Sequence, residues 1–432
     1  MSDKFLVKGL NGKKILSGKI KVNGAKNAIL KAMASSILFA DKIEMKNIPD
    51  IEDVKRLSEL LEKMGAVVTK KSKGNYSIDV KNLKEWNLDR EISERIRASI
   101  VLTGPTLARF GKVSFPVPGG CVIGARPIDF FVDGFKKMGA ETNFKNDRYY
   151  IEVPKGKKLK GAEIFFRAPS VTATETFMMA GVLANGKTVL KNTAMEPEIK
   201  HLADFLNSCG AKIKGAGTPT IEITGGKLLS SKNVVYRAMP DRIEAGSFLI
   251  MGALCADNLE ITDCNPNDIE ILIQILKDAG VPLEIGKTFI KIKNNGGIKN
   301  KDFKSIGFKT KEFPGFPTDL QAPMVIFLTQ ASGESLVFET IFEGRLSFVE
   351  DINRMGAEIR LLDPHRALIK GPSVLRGREV ESPDLRAGLA FVLAGILAKG
   401  DTIIDNVYLI DRGYERIEER LQKIGVNIGR KN

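Results

Sequence analysis

Cysteine and histidine are both scarce in this chain: 432 residues hold four of the first and two of the second. Cys121, Cys209, Cys255 and Cys264 form no CxxC pair, and two histidines are too few for the usual mixed ligand sets, so no zinc site is expected. A disulfide framework is unnecessary, because a chain this long buries a full core in each of its parts. No apolar run reaches the length of a membrane span, and the opening MSDKFLVKGL lacks the apolar stretch of a signal peptide. These absences lead to the expectation of a cytoplasmic protein kept reduced, with no membrane association.

What is present is ordinary in bulk: 43% hydrophobic and 27% charged residues, over a length that implies two or more domains. Sixty-six basic residues against 52 acidic ones give a formal charge of +14. Lysine-rich stretches such as TKKSKG and GKKLKG read as solvated surface, and no nucleic-acid recognition motif accompanies the charge, so nucleic acid is not the expected partner. The arginines differ in placement, standing singly in IRAS, GARP, PDRIEAG, EGR, PDLRAG and DRGYER.

Internal repetition organises the whole chain. EKMGAVV, KKMGAET, NSCGAKI, KDAGVPL, NRMGAEI and QKIGVNI each follow an amphipathic pattern, and their glycines (Gly65, Gly139, Gly210, Gly280, Gly356, Gly425) recur about every 70 residues. A second series runs in step: LFADKIEMKN, LARFGKVSF, LANGKTVLKN, LCADNLEITDC, LTQASGESLVFET and LAKGDTIIDN. In EPEIKHLADFLNSCGAKI, Ile199, Leu202, Phe205 and Leu206 mark a helix face, Gly210 fits a left-handed cap, and a strand follows. Each repeat is thus an α/β unit with two helices and several short strands, too small to bury its own core. Periodicity alone leaves open whether six units form one ring or two groups of three.

Four short stretches carry candidate chemistry. Cys121 sits in VPGGCVIGARP, where Pro118, Gly119 and Gly120 imply backbone freedom and an exposed thiol with Arg126 nearby to favour the thiolate. Cys209, Cys255 and Cys264 lie in apolar or capping contexts and read as structural. Lys26 and Asn27 open a helix after Gly24, a favourable place for an anion although the spacing is not that of a P-loop. Asp319 in FPGFPTDLQAPM is either a first-turn carboxylate or a general base held by a stiff proline-rich approach. His201 and His365 show no partner pattern and are expected at the surface.

At this point nine strings occur in an order that is similar to one family. VNGAKNAIL, PGGCVIGARPID, SVTATETFMMAGVLANG, EPEIKHLADFL, PDRIEAGSF, FPGFPTDLQAPM, ETIFEGR, DLRAG and DRGYERIEERL resemble the UDP-N-acetylglucosamine 1-carboxyvinyltransferases, enolpyruvyl transferases of bacterial peptidoglycan synthesis. The resemblance runs from about residue 20 to the C-terminus. It implies a two-domain inside-out α/β barrel of six repeats, three per domain, with helices inside, sheets outside and a cleft between. One domain would span 26–239, carrying Lys26 and the Cys121 loop; the other would combine 1–25 with 240–432.

The implied reaction moves the enolpyruvyl group of phosphoenolpyruvate to the 3′-hydroxyl of UDP-N-acetylglucosamine and releases phosphate, through addition and elimination. By resemblance Cys121 is the proton donor and can form an adduct with phosphoenolpyruvate, and Asp319 takes the hydroxyl proton. A thiol of ordinary pKa, ~8.5, suits an acid at neutral pH. Lys26, Asn27, Arg126, Arg345, Arg386 and Arg412 correspond to phosphoenolpyruvate ligands, a task suited to the planar arginine fork. Asn27, Arg97, Arg126, Pro127, Ile128, Asp129, Phe130, Ser170, Val171, Thr172, Asp319 and Ile341 correspond to nucleotide-sugar contacts. No metal or organic cofactor is implied.

The chain also departs from the family pattern. Thr172 and Thr176 replace the glycine and asparagine of SVGATEN, Ala168 replaces a lysine with Arg167 beside it, and Asn23 and Gly344 stand where serine and asparagine are common. If the glycine at 172 were needed for positive φ, the nucleotide-binding turn would have to differ. Alternatives are a transferase using another nucleotide sugar, the sister enzyme acting on shikimate 3-phosphate, and a basic nucleic-acid-binding protein on the same repeats. The sister family lacks the PGGC–GARP loop and the PGFPTD string as written here.

Overall fold

The computed structural model describes residues 3–119, 128–293, 295–297 and 299–431. Both repeat signals become structure. Helices Glu52–Lys63, Asp129–Lys137, Pro197–Ser208, Glu270–Asp278, Val349–Arg354 and Ile417–Gln422 each run up to one of the six repeat glycines. Those glycines take φ between +85° (Gly139) and +109° (Gly356), a conformation that a Cβ disfavours. The pattern is legible because the backbone reverses at the same point in every copy.

The second series forms the interior. Helices Lys26–Ser35, Thr103–Phe110, Val171–Leu183, Arg242–Cys255, Gln321–Leu328 and Leu385–Leu397 each precede a strand of the repeat. Every residue of the last three is buried. A helix that is apolar on all sides has no solvent face to offer and is stable only when surrounded. The glycine-capped helices are amphipathic instead; in Glu52–Lys63 the buried residues include Val54, Leu57, Leu60 and Leu61, one stripe of the surface.

Among the described residues six sheets cover these helices, five of four strands and one of three. In each, a strand following an inner helix pairs on one side with a parallel edge segment. Leu16–Lys21 lies parallel to Ala256–Thr262, Glu163–Phe165 to Lys187–Lys191, and Val235–Arg237 to Ile43–Lys46. The three-stranded sheet has a parallel bridge, Asn87 to Ser114, in the equivalent place. The N-terminal strand Lys4–Lys8 completes the sheet of the last repeat between Asp401–Asp405 and Ile428–Lys431, with Phe5 opposite Ile404 and both fully buried.

Contacts divide the chain into two compact units. One contains the described chain from Gly24 to Met239, the other the N-terminal segment to Asn23 and the chain from Pro240 onward. Each holds three of the sheets and its own hydrophobic core. The fold is therefore the two-domain inside-out α/β barrel of six repeats. No helix among the described residues is long and apolar enough to cross a membrane.

Candidate active site

In the 24–239 unit, Lys26, Asn27, Ser170, Val171 and Thr172 collect at the starts of inner helices. Lys26 is the first residue of the Lys26–Ser35 helix, whose N-cap, Ala25, has no side chain able to cap. Its Nζ lies 2.9 Å from Asp53 Oδ2, at the start of the neighbouring amphipathic helix. A buried carboxylate thus aims the ammonium and leaves it 13% exposed. Asn27 follows, half-buried, and its carbonyl accepts a 2.7 Å hydrogen bond from Lys31 Nζ.

Lys31 spends its charge on Glu175, 3.2 Å away on the Val171–Leu183 helix. Glu175 is fully buried; burial pushes its pKa up to about 7, against the pull of Lys31 and with help from Glu198 and Glu196. This pair joins the helix that begins with Lys26 to the helix that begins with Val171. Ser170 caps the latter, accepting from Ala173 N at 3.3 Å. Thr172 lies in the first helical turn, outside the positive-φ set, and its carbonyl accepts from Thr176 Oγ1 at 2.7 Å. The two threonines that replace glycine and asparagine are accommodated together, and no left-handed turn is required there.

Phe177 on the same helix fixes the Asp129–Lys137 helix. Its ring is stacked on Phe131 at 6.2 Å, tilted against Phe135 at 4.9 Å, and so close to Gly134 that a Cβ there would sit 2.1 Å from Cζ. Ile128 is the buried N-cap residue of that helix, Asp129 is exposed and Phe130 half-buried. Phe130, Phe165, Lys136, Lys137 and Arg167 line a cleft of about 270 Å³. Arg167, next to Ala168, is thus one of three basic residues lining this cleft, which Asp133 also lines.

Cys121, Arg126 and Pro127 lie outside the described residues, but the base of their loop is within them. Arg97 Nη1 donates to Pro118 O at 3.1 Å. Gly119 is packed so closely that a Cβ would lie 1.5 Å from the Glu94 carbonyl oxygen. That corrects the reading of Gly119 as a source of freedom: it is a close-approach glycine at a fixed anchor, at negative or extended φ.

In the other unit, three sequence candidates meet directly. Asp319 sits in a single turn, Thr318–Leu320, ahead of the Gln321–Leu328 helix. Its carboxylate does not cap that helix; it lies between two guanidiniums. Arg345 Nη2 donates to Oδ1 at 2.6 Å, and Arg386 donates to Oδ2 through Nε at 3.1 Å and Nη2 at 3.0 Å. Both arginine side chains are nearly inaccessible, whereas Asp319 keeps 27% exposure. Arg386 also donates to Tyr414 Oη at 2.8 Å. Burial works against its charge but is outweighed by Tyr414, Asp319 and Asp241, and its pKa is raised on balance. Arg412 is buried two residues before Tyr414. Ile341 is half-buried, its N–H bonded to Glu339 Oε1 at 2.8 Å.

Several partners escaped the sequence reading: Asp53, the Lys31–Glu175 pair, Tyr414 and Glu339. The available signal was a lone charge in an apolar helix, Lys31 in KNAILKAMAS and Glu175 in VTATETFMMAGVL. The histidines are partly exposed, His201 Nε2 lying 2.9 Å from Arg237 O and His365 Nδ1 2.8 Å from Glu339 O. Cys209, Cys255 and Cys264 are buried, and burial pushes the last two up to about 12 and about 11. Among the described residues, no group of three or more His, Cys, Asp or Glu is arranged to hold a metal ion.

Solved structures share the arrangement of inner helices under sheets. The enolpyruvyl transferase NikO from Streptomyces tendae superposes with a TM-score of 0.86 over 100% of this chain and 99% of its own, at 20% identity. EPSP synthase from Acinetobacter baumannii gives 0.74 over 100% of both chains at 19% identity. At those identities the likeness is one of fold. The chain belongs to the EPSP synthase (3-phosphoshikimate 1-carboxyvinyltransferase) family, whose model matches residues 10–421. Within it, the chain is 44% identical over 425 residues to the UDP-N-acetylglucosamine 1-carboxyvinyltransferase of Halothermothrix orenii, covering 98% of this chain and 99% of that one. The enzyme named UDP-N-acetylglucosamine 1-carboxyvinyltransferase 1 from Caldanaerobacter subterraneus subsp. tengcongensis is 42% identical over 416 residues, 96% and 97% of the two chains.

Proposed function

We propose that this protein transfers the enolpyruvyl group of phosphoenolpyruvate to the 3′-hydroxyl of UDP-N-acetylglucosamine, releasing phosphate, as the first step of peptidoglycan synthesis in the cytoplasm. The observation that carries the reading is near-full-length identity of 42–44% to enzymes named for that activity. The arrangement of Asp319 between Arg345 and Arg386 supports it.

Addition requires the hydroxyl to lose a proton as its oxygen attacks C2 of the donor, while C3 gains one. Asp319 is the base in this reading, with both oxygens oriented by Arg345 and Arg386 before substrate arrives. Cys121 is the acid for C3. The tetrahedral ketal then loses a proton from its C3 methyl group as it expels phosphate, which restores the C2–C3 double bond, and negative charge grows on the leaving group; Lys26, Arg126, Arg345, Arg386 and Arg412 are assigned to the donor's phosphate and carboxylate, where preorganised cations act most strongly. Arg97, residues 126–130, Ser170, Val171, Thr172 and Ile341 are assigned to the nucleotide sugar, with Asn27 shared between substrates. Arg167 in its basic, aromatic cleft supports an anionic, ring-bearing ligand at the nucleotide end.

Phosphate release from phosphoenolpyruvate, measured with and without UDP-N-acetylglucosamine, tests this directly. Release that depends on the nucleotide sugar is the expected result. Folded protein that releases phosphate only with another acceptor, or with none, would overturn the assignment.

A further inference from the structure

Between Thr310 and Thr318 the chain makes a loop through Phe313–Pro314–Gly315–Phe316–Pro317, and Asp319 is the first residue beyond it. Proline fixes φ within the loop but does not fix where its two ends stand. One group holds both ends. Glu339, the residue after strand Gly333–Phe338, is 0% exposed, and its carboxylate accepts from Thr310 Oγ1 at 2.9 Å through Oε1 and from Thr318 Oγ1 at 2.9 Å through Oε2. Oε1 also accepts from the backbone N–H groups of Ile341 at 2.8 Å and Phe342 at 3.1 Å.

The placement of Glu339 is itself determined. Its N–H donates to His365 O at 2.7 Å, and its carbonyl lies 2.8 Å from His365 Nδ1. Thr310 Oγ1 accepts from Thr340 N at 2.8 Å, which directs its hydroxyl proton toward Glu339. A fully buried carboxylate with two hydroxyl and two backbone donors is a costly group to maintain, and simple packing would be served as well by an apolar side chain.

We propose that Glu339 is a positioning residue: by tying Thr318 and the Ile341–Phe342 backbone to one carboxylate, it sets the orientation of Asp319 together with that of the backbone contacting the acceptor sugar. The proposal rests on the assignment of Asp319 as the base. Glu339 touches neither substrate in this account and acts only through its neighbours.

The test uses the full chain. Thr318→Val removes one hydroxyl without disturbing the buried carboxylate, and Glu339→Gln keeps shape while presenting an amide N–H group to Thr318. Each should lower kcat on the order of tenfold, with the KM for phosphoenolpyruvate little changed, because misorientation of a reacting group costs turnover before donor binding. Thr318→Ser, which restores the hydroxyl, should restore kcat. The double variant should be no slower than the slower single variant, since both changes break one linkage. Crystal structures of Thr318→Val should show the Asp319 carboxylate displaced from Arg345. Wild-type kcat in folded Thr318→Val, multiplicative losses in the double variant, or an undisplaced Asp319 would each overturn the proposal. If the wild type itself released no phosphate with UDP-N-acetylglucosamine, the functional reading would fall, and the position of Asp319 in the Thr318→Val crystal would still decide the role of Glu339.

Discussion

Replacing Glu175 with glutamine separates one buried proton from every other titration in the protein. In the unfolded chain this carboxyl has its ordinary pKa of 4.5, and in the folded protein burial raises it to about 7. Between those values the folded state holds a proton that the unfolded state has released. Stability from this site is therefore complete below pH 4.5 and is lost as pH rises through 7. The full effect is roughly 3 kcal/mol, since each tenfold change in proton affinity is worth about 1.4 kcal/mol. Glutamine matches the neutral acid in shape and does not titrate, so the variant lacks this slope. Between pH 5 and pH 8 the wild type should lose most of this, on the order of 2–3 kcal/mol, relative to Glu175→Gln. Trp86, the single tryptophan, belongs to the same 24–239 unit as Glu175, so its fluorescence during denaturant unfolding reports on the right unit. Stability curves for the two proteins that run parallel across this pH range would refute the reasoning.

Other substitutions probe the site at its separate points. Cys121→Ser should nearly abolish phosphate release while leaving the thermal midpoint unchanged, and fosfomycin should inactivate the wild type; full turnover in the variant would remove Cys121 as proton donor. Arg386→Lys keeps the charge but loses the fork on Asp319 Oδ2 and the bond to Tyr414, so kcat should fall on the order of a hundredfold with circular dichroism unchanged. Gly119→Ala drives a methyl group into the Glu94 carbonyl at the base of the Cys121 loop, so turnover should drop more than tenfold in a protein that still unfolds cooperatively. Wild-type kinetics in that variant would show that the anchor does not govern the loop.

The repeats were legible in the sequence because a glycine stands in every copy where the chain leaves a helix left-handed, and because three of the inner helices are mostly apolar and have no solvent face. The pairing of Asp319 with Arg345 and Arg386 was not legible, although all three had been singled out. They are 26 and 67 residues apart in the chain, and only folding brings them within hydrogen-bonding distance. Gly119 was misread because a glycine needed for close approach and a glycine needed for freedom look identical in sequence; only the Glu94 carbonyl tells them apart. Thr172 raised a conflict that the structure removes, since its position is helical and a β-branched residue fits it. Glu339 passed unnoticed inside a quoted string because its partners are hydroxyls and backbone amides, which carry no charge pattern.

A rule for finding such groups follows from the cost of burying charge. An inner helix can keep an ion only if another element neutralises it, so each lone charge in an apolar helix implies a specific partner. In the 24–239 unit Lys31 lies 3.2 Å from Glu175 across two inner helices. In the other unit Arg420 meets Glu244 at 2.6 Å, and Arg386 meets Asp319. Glu244 and Arg386 stand in the first turns of their inner helices, Glu175 stands one turn after Val171, and Lys31 stands one turn after Asn27. Those helix starts are also where Lys26, Asn27, Ser170 and Val171 are found. The same ion pairs that make charge tolerable in the core therefore lock together the helix ends that present the candidate substrate contacts. A substitution that breaks a pair should alter turnover and stability together, whereas one on an outer amphipathic helix away from Asp53, Asp129, Phe130 and Arg420 should alter stability alone.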